Sequence, residues 1–402
     1  MALMTVQEAL ERVLTSATPV SAETISIIDA HGRTLARPLA AKRTQPPFRA
    51  SAMDGYAVRG ADVAVKGAVL SVKGEAAAGL AYQSSILPKE AVRIFTGAPV
   101  PEGADTILLQ ENAIRDGDRV TVDVPEKAGR HVRDVGLDFK AGEKLLHTGQ
   151  RLGPRSVALA AAMDHAVVDV FRKPRIAILA TGNELVMPGE DAGPDQIVAS
   201  NHLAIAGMVL EAGGVPELLG IATDDFSSLE AAIDRAEAAG ADVLVTIGGA
   251  SVGDHDLVQS ALTKRGMELG FWRIAMRPGK PLIFGRLGEM LILGLPGNPV
   301  SSIVCSKLFL MPLIRALQGD PLAGQDPTEP ALLGTDIQAN DKRQDYLRAT
   351  LSISKVGLPH VIPYGIQDSS MLRIASEAQA LLVRPPHAPA ASAGDLCRII
   401  RL

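Results

Sequence analysis

RIAILATGNEL, residues 175–185, sets the architecture: an apolar run of strand length stops at a Thr–Gly turn, and the helical pattern NHLAIAGMVLEAGG follows at 201–214. A short unbroken apolar run bounded by turn residues reads as a strand covered on both faces. The same order recurs downstream. VPELLGIATDD (215–225) precedes the helical SSLEAAIDRAEAAG (227–240), and ADVLVTIGGASVGDHD (241–256) precedes LVQSALTKRG (257–266). FWRIAMRPGKPLIFG (271–285) and MLILGLPGNPVSS (290–302) add two strand-like runs and a helix starting near Pro299. Strands alternating with helices of this length predict a mostly parallel sheet with helices on both faces, a three-layer α/β domain over residues 172–319. Several strands end in glycine-rich or polar loops, where open α/β sheets bind ligands.

Working outward, TVQEALERVL (5–14) is an amphipathic helix with Thr5 as N-cap and Glu8 completing a capping box. Residues 46–139 break into β-prone stretches, AVLSVKGE, EAVRIFTG, DTILLQE and RVTVDVPE, separated by Gly, Pro and Asp turns. They read as a β-rich insertion into a discontinuous base domain made of residues 1–45 and 140–171, whose second piece carries an Ala-rich helix capped by Ser156. DPLAGQDPTEP (320–330) marks a linker, beyond which YLRATLSIS, LPHVIPYGI and LVRPP predict a small, barrel-like β domain over 327–402. At about 150 residues per domain, 402 residues suggest two to four units, in line with this division.

Composition narrows the function. A net charge of -5 argues against a broadly cationic nucleic-acid surface. Two cysteines, Cys305 and Cys397, form neither a disulfide framework nor a zinc spacing, and suit a reducing compartment. The N-terminus lacks a signal-peptide pattern and no apolar run approaches the ~18 residues that cross a bilayer, so the expected location is the cytoplasm, without membrane partners. His31, His131, His165, His202 and His255 have no recognised metal spacing and read as structural or surface residues.

Four stretches carry candidate chemistry. In TGNEL, Thr181 and Gly182 admit close ligand approach and Glu184 reaches a heterocycle or a water, although a plain turn explains the same residues. In TIGGASVGDHD (246–256), Gly248, Gly249, Ser251 and Gly253 offer backbone and hydroxyl donors to phosphate without matching either familiar nucleotide-binding motif. Asp224, Asp225, Asp254 and Asp256 follow core strands. Together they suit a magnesium ion bridging to phosphate, although each alone equally suits a helix cap. Arg273, Arg277 and Lys280 surround the MRPGKP turn next to GLPGNPVSS, so that they and Ser301 form a candidate anion pocket. Asp54 in SAMDGYAV and Thr96 in RIFTGAPVPEGAD join them if the insertion faces a site, in this subunit or a partner's.

The ordered set MDGYAV, RIFTGAPVPEGAD, VRDVGLDFKAGE, TGNELV, GGASVGDHD, RPGKPLIFG and LPGNPVSS resembles the molybdopterin molybdenumtransferase family, to which the C-terminal region of gephyrin is related. The resemblance spans about residues 5 to 400. It implies magnesium-dependent transfer of molybdenum from molybdate to adenylylated molybdopterin with release of AMP. It also implies a homodimer whose cleft lies between the α/β domain of one subunit and the insertion of the other. Carried over residue by residue, it implies chemistry at Asp54, Thr96, Asp138, Glu184 and Asp256, and a metal at Asp224, Asp254 and Asp256. Phosphate falls to Thr181, Gly182, Gly248, Gly249, Ser251, Gly253 and Ser301, and molybdate to Arg273, Arg277, Lys280, Pro296 and Pro299. Arg273 and Arg277 stand where family members commonly carry lysine. Expected partners are a molybdopterin adenylyltransferase and acceptor molybdoenzymes or their chaperones. The competing readings are an adenylyltransferase and a scaffold that kept the fold without the chemistry.

Overall fold

The structure, a computed structural model, describes residues 3–249, 257–352 and 357–402. The apolar run at 175 forms the strand Arg175–Thr181, which pairs in parallel with Val215–Ala222 on one side and Val243–Ile247 on the other. Met290–Leu295 continues the parallel set, and Pro281–Leu287 and Glu268–Arg273 close the sheet antiparallel. Val243–Ile247 and Met290–Leu295 are buried at every position, which is why their sequences show no alternation. Helices Asn201–Ala212 and Pro299–Leu317 pack on one face, and Phe226–Ala238 and Leu257–Lys264 on the other. The chain leaves Arg175–Thr181 toward one neighbour and returns two elements later to the opposite one. The crossover helices on the two faces diverge there, leaving a crevice at the carboxyl ends of these strands.

Pro299–Leu317 is, among the described residues, the one helix long and apolar enough to cross a membrane. The sequence shows no such run because polar residues interrupt it; its apolarity serves the core, where Val300, Val304, Phe309, Leu313 and Ile314 are buried. A π turn at Ser306–Leu310 precedes Pro312, which has no N–H for the carbonyl one turn back.

The Val6–Thr15 helix carries the expected capping box: Glu8 N–H donates to Thr5 Oγ1, and Thr5 N–H donates to the Glu8 carboxylate. Its apolar face does not join the base domain. Val6, Ala9 and Val13 are buried in the core of the central sheet, beside the Pro299–Leu317 helix. The base has its own core, in which Ala30, Leu35, Leu39 and Ala41 meet Phe139, Leu146, Leu152, Ala160, Val168 and Val170. Its helix, Pro154–Ala162, starts at a proline in the first turn after Gly153, so Ser156 lies inside the helix and caps nothing. Arg172 docks the base onto the central domain with a two-pronged ion pair to Asp242, at 2.7 and 2.6 Å.

Chain enters and leaves the insertion through the antiparallel pair Ala50–Ser51 and Val132–Arg133. The insertion is a six-stranded mixed sheet ordered Thr106–Leu109, Gly55–Val58, Glu90–Ile94, Val69–Ala76, Arg119–Val122, Ala113–Asp116. At the C-terminus, Gln344–Ser352 pairs with both His360–Pro363 and Ala380–Arg384, while Glu329–Leu333 and Leu396–Arg401 complete the ring. The result is a small closed barrel. One further strand, Met276–Arg277 of the cationic turn, adds in parallel to Gln344–Asp345 and ties the barrel to the central domain.

Candidate active site

The crevice at the strand ends encloses about 720 Å³. Its floor is Thr181, Gly182, Gly248 and Gly249, and its far wall is the Pro296–Pro299 turn. Gly248 has φ +99°, and a Cβ there would lie 2.6 Å from the Thr181 carbonyl oxygen. Gly182 plays a different part: the Glu184 carboxylate folds back over it, 2.5 Å from where a Cβ would sit. The two glycine turns thus hold backbone and one carboxylate at a spacing that no other residue type permits.

Glu184 and Asp224 both line the cleft. Their loops are tied together by Asn183, whose side-chain oxygen accepts from Asp224 N–H at 3.0 Å, while Asn183 N–H donates to the Asp224 carboxylate at 3.4 Å. Asp225 is otherwise engaged. It caps the Phe226–Ala238 helix by accepting from Ser228 N–H at 2.9 Å, and the Thr223 hydroxyl donates to it. The Thr223 hydroxyl first, then the helix N–H groups, hold its carboxyl below the usual range. Ser251, Gly253, Asp254 and Asp256 lie outside the described residues. Among the described lining residues the acidic side chains are Glu184 and Asp224, and neither lysine nor arginine occurs. Their hard oxygens fit a magnesium ion, and a phosphate beside them needs such a counter-charge. No group of three or more possible ligands occurs among the described residues.

The cationic turn is divided in its loyalties. Arg277 forms a fork on Asp345, with Nε donating at 3.0 Å and Nη2 closer still, and approaches Asp341 at 3.5 Å. The bond to Asp345 raises the guanidinium's pKa further, and the Asp345 side chain is only 6% exposed. Arg273 lies over the Trp272 ring, 4.3 Å from its centroid, with its Nε buried and unpartnered. Lys280 is half-buried just ahead of Pro281, which lines the cleft. Pro296 and Pro299 line it too, whereas Ser301 is buried behind the wall at 4% exposure. Arg277→Ala is therefore expected to weaken use of both substrates together and to lower the melting temperature, because it strands Asp345 and loosens the barrel. A selective loss of molybdate use at unchanged stability would assign Arg277 to the anion instead.

Asp54 and Thr96 meet each other inside the insertion. One Asp54 oxygen accepts from both the Thr96 backbone N–H and its hydroxyl, at 2.8 Å each, and these bonds, the backbone one first, hold the Asp54 carboxyl below its ordinary value. Arg93 flanks the pair, stacked on Phe95 and donating to the Gly55 carbonyl. Neither residue lines the crevice of its own chain. Asp138 is exposed where the insertion joins the base, its N–H bonded to the Gln45 carbonyl.

Two polar residues of the site, and one buried in the barrel, have no sequence signal of their own. Asn201 Nδ2 donates to the Gly297 carbonyl at 2.6 Å, tying a helix start to the far wall. His202 lines the cleft at 2% exposure, and neither ring nitrogen has a partner. Burial pushes its pKa down and favours the neutral ring. Arg348 of the barrel is 1% exposed, donates to the Asp368 carbonyl and leaves its Nε unpartnered. A histidine in an apolar helix and an arginine in a strand look ordinary until the fold is known.

With this geometry in hand, comparison with known proteins covers the chain in three pieces. The MoeA N-terminal region (domain I and II) matches residues 4–163, the probable molybdopterin binding domain 177–316, and the MoeA C-terminal region (domain IV) 330–402. The molybdopterin molybdenumtransferase of Haemophilus influenzae is 33% identical over 99% of this chain and 98% of its own. Molybdopterin molybdenumtransferase 2 of Mycobacterium tuberculosis is 35% identical over 94% of each. The crystal structure of the molybdopterin biosynthesis protein MoeA from Pyrococcus horikoshii superposes over 100% of both chains with a TM-score of 0.85 at 26% identity. The central α/β domain, the insertion and the barrel are thus parts of one shared architecture, and the chain belongs to the molybdopterin molybdenumtransferase family.

Proposed function

We propose that this chain transfers molybdenum from molybdate to adenylylated molybdopterin, releasing AMP, as the final step in making molybdenum cofactor. The observation that carries the reading is the crevice itself. It combines a glycine floor suited to phosphate with two carboxylates suited to a hard cation, and the cationic turn, fastened between two domains, reaches it at Pro281. Thr181, Gly248 and Gly249 receive the adenylate phosphate through hydroxyl and backbone donors. Glu184 and Asp224 would hold magnesium, joined in this reading by Asp254 and Asp256, and the ion would supply charge neutralisation for the departing AMP. Lys280 and Arg273 draw molybdate to the rim while Arg277 holds the turn in place. As soft ligands, the two dithiolene thiols of the substrate then bind molybdenum and displace one molybdate oxygen, which leaves as water with their two protons, while a second water splits the pyrophosphate bond that frees AMP.

Asp54 and Thr96 fit the same chemistry in trans. They form a prepared carboxylate–hydroxyl pair that its own crevice does not use, so a homodimer placing one insertion over the other's cleft gives the pair a substrate. Asp138 stands at the root of that insertion. The protein then works in the cytoplasm, between an adenylyltransferase that supplies its substrate and the molybdoenzymes or chaperones that take its product. Neither nucleic acid nor membrane is part of this reading.

The test supplies adenylylated molybdopterin, molybdate and magnesium, and follows AMP release and reconstitution of a cofactor-free molybdoenzyme. Consumption of ATP with unmodified molybdopterin instead would identify an adenylyltransferase, and partner binding without turnover would identify a scaffold. Mixing Asp54→Asn with Glu184→Gln subunits is expected to restore about a quarter of wild-type turnover, since half of the dimers are mixed and each has one complete site. No restoration in demonstrably mixed dimers would put Asp54 and Glu184 in one subunit's site.

A further inference from the structure

His202 is the point where the crevice has a polar group with nothing to bind. Among the described residues, buried side-chain atoms without partners include Thr246 Oγ1, Ser306 Oγ and the Nε atoms of several arginines, but of these residues His202 alone lines the cleft. It is the second residue of the Asn201–Ala212 helix, and Asn201 before it is tied to the Gly297 carbonyl. The ring therefore stands on a fixed support in the wall shared with Pro296 and Pro299. A neutral imidazole carries one donor and one acceptor, and buried polar groups are normally satisfied, so two vacant nitrogens at a ligand site mark a position kept for a ligand.

The chemistry of that ligand follows from what the ring lacks. A neutral ring adds no charge, so it is poorly suited to phosphate or molybdate. Those groups are better served by the backbone donors of the floor and by Lys280 at the rim. The edge of a fused nitrogen heterocycle, which presents donors and acceptors side by side, matches the imidazole in kind. Both ends of the adenylylated substrate, the pterin and the adenine, have such an edge.

We propose that His202 is a substrate-binding residue whose ring turns a nitrogen into the crevice and hydrogen-bonds the heterocycle edge of the adenylylated substrate. The inference rests on the function proposed above and adds a specific contact to it. The ligand-free ring is shielded from solvent, so binding must rotate it, and that rotation is observable.

The experiment records side-chain ¹⁵N spectra of the histidines in the full-length protein, with the His202 signals identified by their loss in His202→Gln. AMP and adenylylated molybdopterin are titrated separately. Movement of the His202 signals with AMP places adenine there, and movement with the full substrate alone places the pterin there. In turnover, His202→Leu is expected to raise KM for adenylylated molybdopterin about tenfold or more, the equivalent of one hydrogen bond. kcat and KM for molybdate stay within about twofold, and His202→Gln, which keeps a donor and an acceptor, recovers part of the loss. Signals unmoved by either ligand in a wild-type protein that turns over would overturn the inference and leave the function standing. A wild-type protein that neither binds nor converts the adenylylated substrate would remove both. Should His202→Leu fail to fold, the wild-type spectra and His202→Gln kinetics decide.

Discussion

Asp224→Asn is expected to lower magnesium-dependent turnover by about 100-fold or more while leaving folding intact. The side chain is exposed at the end of Val215–Ala222, and its loop is held by the reciprocal Asn183 bonds, one of which uses the Asp224 backbone N–H and survives the change. Little packing is lost. What changes is the charge and oxygen-donor set facing the cleft, where the other acidic side chain in the described lining is Glu184. A hard divalent ion loses most when a carboxylate becomes an amide, so the apparent magnesium requirement rises along with the loss of kcat, and excess magnesium restores part of the rate. Asp225→Ala next door is the control. It removes the cap on Phe226–Ala238 and lowers the melting temperature, yet leaves turnover within about twofold. Equal turnover for Asp224→Asn and wild type across magnesium concentrations would exclude Asp224 from the metal site, and a matching drop in both neighbours would make the loop's structure the common cause.

The contrast between these neighbours shows where sequence reasoning stops. Asp224 and Asp225 have the same chemistry and the same position after a strand, and only the helix that begins at Phe226 decides which becomes a cap. Local patterns fared better where the information was itself local. RIAILATG and DVLVTIGG announce doubly covered strands through unbroken apolarity, and the helices after them through their spacing. The fold class, a three-layer α/β domain with a β-rich insertion and a small C-terminal barrel, was legible on that basis and through the ordered motifs.

Long-range pairing was not legible. Arg277 reads as a free cation in RPGKP because its partner, Asp345, lies 68 residues away on a strand that packs against it only once the barrel has closed. The opening helix reads as part of the base because it precedes the base in sequence, whereas its buried face joins the central core. His202 fails for a related reason: a histidine inside an apolar helix looks like filler until the absence of any partner, and its place in the cleft wall, are known. In each case the deciding quantity is which distant surface fills the space beside the residue, and no spacing along the chain encodes that.

Gly248→Ala should be among the most damaging single methyl groups in the described lining of the crevice. Two costs combine. The residue sits at φ +99°, a conformation that side-chain-bearing residues rarely adopt, and its new Cβ would lie 2.6 Å from the Thr181 carbonyl oxygen and 2.9 Å from Thr181 Oγ1. Neither backbone can yield easily. Gly248 N–H is bonded to the Leu295 carbonyl at 3.1 Å, and Thr181 ends a strand whose preceding residue, Ala180, is in register with Ile247. Relief therefore means prising apart two central strands at the switch point, which also moves the floor on which phosphate would rest. We expect a loss of about 2–4 kcal/mol in stability, and at least a tenfold fall in kcat/KM for the adenylylated substrate. Gly207→Ala separates the methyl group from its location: that glycine lies within the Asn201–Ala212 helix with nothing within 4 Å of its missing Cβ. There the same change should stabilise the protein by about 0.5–1 kcal/mol at unchanged turnover. If Gly248→Ala folded with wild-type stability and activity, the close approach of the two strand ends would not be what shapes the site, and the glycine floor would lose its role in holding phosphate.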